Sequence, residues 1–190
     1  GVIALVMSII KAWGRGWLDM TAVILYGVSM IALYTMSSVY HGLRPGMGKK
    51  VLQVIDHCTI YLLIAGTYTP IVLIGFRPVY PAIGWGLFIV EWTLAALATT
   101  LTAIDLKKYN ALSMVFYIGL GWAVLPFVSQ TIELMGKAGF GFLLAGGISY
   151  TVGAILYGIG SKVRWMHSVF HIFVVLGSLL QFLAIYLYVL

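Results

Sequence analysis

Six stretches of this chain run for some twenty residues or more with almost no charge: Met20–Leu43, Val51–Phe76, Val79–Ile104, Ala111–Leu134, Ala138–Ile159 and Trp165–Leu190. A bilayer core about 30 Å thick is crossed by about 20 apolar residues of helix. Runs of that length, repeated, leave few alternatives. Only 8% of the residues are charged and mean hydropathy is +1.06, whereas a soluble domain carries about 25% charged residues. There is too little polar surface to coat a soluble globule. The expectation is an all-α polytopic membrane protein. Gly1–Ile10 reads as the last half of a further span, which makes seven spans in one domain over residues 1–190, the first partly missing. Trp13, Trp17, Trp85 and Trp165 fall near proposed span ends, where interfacial aromatics belong.

The basic residues sit in short loops, which reads as a topology signal and not as a nucleic-acid footprint. Loops after spans two, four and six hold Arg44, Lys49, Lys50, Lys107, Lys108, Lys162 and Arg164. Loops after spans one, three and five hold Lys11, Arg15, Arg77 and Lys137. Positive charge prefers the cytoplasm, so the N-terminal end is expected inside and Leu190 outside. The single cysteine, Cys58, excludes an intrachain disulfide.

Against this background the polar residues stand out, because ionisable groups inside spans are costly. Span two ends "TMSSVYHGLR", with Ser37 and His41 one helical turn apart. Span three begins "VLQVIDHCTIYLL", with Asp56 and His57. Span seven begins "WMHSVFHIF", with His167 and His171. Residues at i and i+4 share a helix face. On the expected topology all three helix ends lie at the cytoplasmic side, and Asp56 and His171 lie about 10 Å inside it.

Three histidines match the number of protein ligands in a catalytic zinc site. His167 and His171 would give two from one rigid helix, and His41 a third from a neighbour. Such an ion lowers the pKa of its water toward 7 and polarises a carbonyl. Asp56 could accept the proton, and the Ser37 hydroxyl could hold the water or a developing oxyanion. Haem fits poorly, since two histidines one turn apart on one helix cannot reach opposite faces of one iron. A metal-free Ser37–His41–Asp56 site would leave His167 and His171 unexplained. A retinal site would need a lysine in span seven, which has none. His57 points about 100° from Asp56 on a helix and reads as an interfacial or packing residue. Glu91, in "FIVEWTL", is the other intramembrane charge and reads as structural: protonated, hydrogen-bonded or near the lipid boundary.

"SSVYH" at 37–41, "DHCTIYLLIAGTYTP" at 56–70 and "HSVFH" at 167–171 resemble the three signature blocks of hemolysin III proteins, a group within the progestin and adipoQ receptor family and similar to alkaline ceramidases. The resemblance covers nearly the whole chain. It implies a seven-helix bundle, zinc bound by His41, His167 and His171, and contacts from Ser37 and Asp56 to the zinc-bound water. It also implies a membrane lipid as substrate or ligand, with hydrolysis of a lipid amide or ester as the leading activity. Pore formation or ligand sensing, with a structural zinc, is the alternative. The short loops imply a bacterial inner membrane protein.

Overall fold

A computed structural model describes residues 1–160 and 165–190, so the expectations resting on Lys162 and Arg164 lie outside the described residues. The chain forms helices α1 (Val2–Ala12), α2 (Trp17–Gly42) and α3 (Met47–Pro70), then a π-helical turn (Ile71–Phe76). Next come α4 (Arg77–Val79), α5 (Pro81–Ile104), α6 (Asn110–Gly121), a 3₁₀ turn (Leu125–Phe127), α7 (Val128–Gly160) and α8 (Met166–Tyr188). No strand occurs among the described residues. The helices fall into two compact units, Gly1–Ala123 and Val124–Leu190.

Five helical stretches among the described residues are long and apolar enough to cross a membrane. They are Trp17–Gly42, Met47–Val79, Pro81–Ile104, Asn110–Gly158 and Met166–Tyr188, with the eleven-residue α1 too short to count. The count differs from the expected seven at two places. Residues 1–10 supply about half a crossing. The expected fifth and sixth spans form one 49-residue stretch, which is not uniform helix. Pro126 stands in the 3₁₀ turn, and Gly136 breaks α7 with φ 68° and ψ 169°, a conformation that glycine alone adopts cheaply.

In the first unit, α1, α3 and the π-turn pack on α2, and α5 packs on α3 and the π-turn. Small residues permit the close approaches. A Cβ on Gly27 would collide with Leu5, and one on Gly66 with the Ser29 hydroxyl. The buried stripe of α5, Gly84, Leu87, Glu91, Ala95, Ala98 and Thr102, recurs every three to four residues, the spacing of a single helix face. Four contacts fix its antiparallel register on α3. Cys58 Sγ donates to the Thr99 carbonyl (3.8 Å), Tyr61 Oη pairs with Thr102 Oγ1 (3.2 Å), Trp92 Nε1 donates to Thr69 Oγ1 (3.0 Å), and Gly84 lies against Val72 and Arg77. Thr102 Oγ1 also meets Ser113 Oγ of α6 (3.2 Å). The far end of this unit carries an ion cluster in which Asp19 faces Arg77 (3.4 Å) and Arg15 (3.8 Å).

The π-turn begins directly after Pro70, whose missing N–H leaves the Gly66 carbonyl without its i→i−4 donor. Arg77 N–H bonds to Val72 O, five residues back, and its side-chain Nε donates to Leu73 O at 2.8 Å.

In the second unit α7 packs along α8. Glycine recurs every seventh residue on the α7 seam, at Gly139, Gly146 and Gly153, and each glycine receives a different side chain of α8: Tyr188, Gln181 and Phe173 respectively. Between them, Gln181 Nε2 donates to Leu143 O (3.0 Å), Ser149 Oγ donates to Phe173 O (2.9 Å) and Tyr150 Oη pairs with Ser178 Oγ (2.7 Å). The outward faces remain apolar. Ile89, Val90 and Leu97 on α5 and Val175, Leu179 and Leu187 on α8 are all exposed, as expected where the surrounding solvent is hydrocarbon.

Candidate metal centre

The first unit brings Ser37, His41 and Asp56 to one end of the α2–α3 hairpin. Helix α2 closes at Leu43, whose N–H reaches Val39 O, and Pro45 stops its continuation before α3 begins at Met47. Lys49 fastens the connection: its Nζ donates to Leu43 O at 2.9 Å and stands 5.3 Å from the Tyr40 ring centre. His41, in the last turn of α2, is exposed, its ring 4.7 Å from that of Tyr40. Ser37 is half-buried one turn back. Asp56, also half-buried, is nine residues into α3, about 13 Å along the axis. Thr59 Oγ1 donates to the Asp56 carbonyl at 2.7 Å.

His57 turns away from this group. Its Nδ1 lies 3.0 Å from Gln53 O, and since a carbonyl can only accept, Nδ1 carries the proton. Tyr117 Oη of α6 donates to the His57 carbonyl at 3.0 Å. Ring and backbone of His57 are thus both held by hydrogen bonds.

The second unit brings His167 and His171 together. Helix α8 opens at Trp165, which takes a left-handed conformation (φ 70°), with the N–H groups of Ser168 and Val169 both on its carbonyl. One turn further in, the two Nε2 atoms lie 3.1 Å apart and the rings meet edge to face at 4.7 Å. Ligands on a tetrahedral zinc, with Zn–N about 2.0–2.1 Å, stand about 3.3 Å apart. The observed spacing is within a few tenths of that, and imidazole nitrogen is a favoured zinc donor, so the pair fits a shared ion. Tyr157 of α7 and Phe170 line it, with ring centres 5.9 Å and 5.8 Å from His167 and Phe170 4.9 Å from His171. Neither Tyr117 nor Tyr157 belongs to a motif that stands out in the sequence. Tyr157 was detectable, since it lies seven residues beyond Tyr150 on the same α7 seam.

A set of apolar helices of crossing length, with a close histidine pair at one helix start, defines an integral membrane protein with a candidate metal centre. The chain belongs to the haemolysin-III-related family, whose model matches residues 1–182. It is 37% identical over 188 residues to Hemolysin-3 of Bacillus cereus, covering 98% of this chain and 84% of that one. It is 36% identical over 187 residues to the Hemolysin-3 homolog of Bacillus subtilis (strain 168), covering 97% and 85%. It is also 27% identical over 180 residues to the human Monocyte to macrophage differentiation factor, covering 90% and 71%. No solved structure matches the chain.

Proposed function

We propose that this protein is a zinc-dependent intramembrane hydrolase of a lipid amide or ester. The reading is carried by the convergence of His167 Nε2 and His171 Nε2 at 3.1 Å, from one helix of a strongly apolar chain. Two imidazole nitrogens this close on one membrane helix can share a hydrogen bond or a cation, and their spacing suits a shared zinc. His41 would complete the ligand set as the third nitrogen donor. Zinc held there would supply Lewis acidity toward a carbonyl oxygen and toward water.

The remaining roles fall to the chain's own side chains. The Asp56 carboxylate accepts the proton released as the carbonyl is attacked and returns it to the leaving amine or alcohol. Ser37 donates a hydrogen bond to the oxygen on which charge develops. Its position one turn from His41 suits that role. The acyl chain lies among apolar helix faces, so the reacting bond meets polar groups only at the helix ends that carry them. We read the crossings as seven, with Ala111–Leu134 an interrupted fifth span and the N-terminal end cytoplasmic. That places the metal centre toward the cytoplasmic face of a bacterial inner membrane.

The test combines metal analysis with fatty-acid release from ceramides, acyl amides and esters. Wild type should hold one zinc per chain and release fatty acid. His167→Ala, His171→Ala and His41→Ala should lose the metal and the release together. Full zinc occupancy in these variants, or no release above a zinc-free control, would remove the reading. A second reading follows from the printed name of the Bacillus cereus relative, a hemolysin. Under it the chain permeabilises membranes and the metal is structural. Dye leakage from vesicles without fatty-acid release would favour that reading.

A further inference from the structure

We propose that Glu91 is an exchangeable proton-binding site, set in the apolar interior of the Gly1–Ala123 unit beside the π-turn. It is independent of the histidine pair. Glu91 is the only charged residue between Pro81 and Ile104. It is 0% exposed, and neither carboxyl oxygen has a hydrogen-bond partner among the described residues. Among the described residues, Glu91 is thus neither hydrogen-bonded nor at the lipid boundary.

The register of α5 fixes its surroundings. Trp92, the next residue, bonds to Thr69, and Gly84 meets Val72 and Arg77. Glu91 therefore lies level with Pro70, where the helix changes to π geometry. The charged and titratable groups on the packed elements are occupied or distant in register. Arg77 lies two helical turns away, bonded to Leu73 O and facing Asp19. Tyr68 donates to Gly121 O (3.0 Å), and Tyr61 pairs with Thr102. Asp56 and His57 pack near the opposite end of α5, as the Cys58–Thr99 contact shows. Among the described residues no ion pair reaches Glu91 to balance a carboxylate there.

An unpaired carboxylate in such a setting is far costlier than the neutral acid, so the resting group carries a proton. A carboxyl serving only as structure would be expected to hold a fixed hydrogen bond, as nearly all buried polar groups do. The neighbouring backbone can provide transient acceptors. Pro70 removes the donor that Gly66 C=O would receive in an unbroken helix, and π-turns are frequent at functional sites. An acid without a fixed partner, beside such a turn, can take up and release its proton as the turn shifts.

Infrared difference spectroscopy on the full-length protein in lipid tests this directly. Subtracting Glu91→Gln from wild type should isolate the carbonyl stretch of one protonated carboxylic acid, above the amide I band. In folded protein that band should shift downward on transfer to D2O. A carboxylate band in its place would overturn the proposal. So would an acid band that moves in D2O only after unfolding, since that marks a sealed, structural acid. If Glu91→Gln does not fold, Glu91→Asp serves instead: the acid band must change frequency and must still shift in D2O, and an unchanged band overturns the assignment.

Discussion

Gly84 is where the seating of α5 can be tested most sharply. A Cβ built there would lie 2.7 Å from both Cα and N of Arg77 and 2.8 Å from Val72 O, against an ordinary contact of 3.4–4 Å. All three are backbone atoms, so no rotamer change relieves the clash and α5 must move off the π-turn. Overpacking of this kind costs about 1–3 kcal/mol, and a backbone-on-backbone clash belongs in the upper half of that range. Gly86, two residues along, has nothing within 4 Å of its would-be Cβ. Replacing either glycine by alanine gains the same helix propensity, about 1 kcal/mol, so the difference between the two variants isolates the packing term. Gly84→Ala should be about 2–3 kcal/mol less stable than Gly86→Ala. In the equilibrium constant that is a factor of roughly 30–150. Reversible SDS unfolding in mixed micelles, followed by tryptophan fluorescence, measures the gap. Equal midpoints and slopes for the two variants would show that α5 does not seat on the Val72–Arg77 backbone, and the depth assigned to Glu91 would fall with it.

Other outcomes follow from the same structure. Asp56→Asn, folded and zinc-loaded, should lose about 10²–10⁴ in fatty-acid release while still binding lipid; turnover measured at matched metal content checks this, and wild-type rates would remove Asp56 as the base. Ser37→Ala should lose less, because water can replace part of a hydroxyl's contribution, and the same assay ranks the two. Gln181→Leu forfeits the bond to Leu143 O; a lowered thermal midpoint without loss of bound metal is expected. A reporter fused after Leu190 should be active outside the cytoplasm, and activity inside would reverse the orientation.

The parts legible in the sequence share one physical reason. In hydrocarbon a polar side chain is expensive, so Ser37, His41, Asp56, His167 and His171 stood out from their runs, and most helix bounds followed from where those runs stop. The close pairing of His167 with His171 follows from their spacing alone. What escaped the sequence depends on hydrogen-bond bookkeeping between neighbours. The π-turn after Pro70 is selected by how α5 and Arg77 meet its carbonyls, and nothing in "IVLIGF" announces it. The break at Gly136 lies inside an apolar stretch with many other glycines, and only its positive φ sets it apart. The burial of Glu91 likewise depends on which face α5 turns toward α3, and both faces of "FIVEWTL" are apolar.

The glycines on the α7 seam act as notches on a scale. They recur every seven residues, so the notches are about 10 Å apart along the helix. A uniform scale would let α8 slide by one notch and find equivalent seats, carrying His167 and His171 to a new depth in the bilayer. The guests are not uniform: Tyr188, Gln181 and Phe173 differ in shape and polarity, and Gln181 finds the Leu143 carbonyl from one seat only. A step of one notch would strand that amide in hydrocarbon and push a tyrosine ring into a neighbour's place. The histidine pair is thus held to a single elevation along α7 by residues far down the helix.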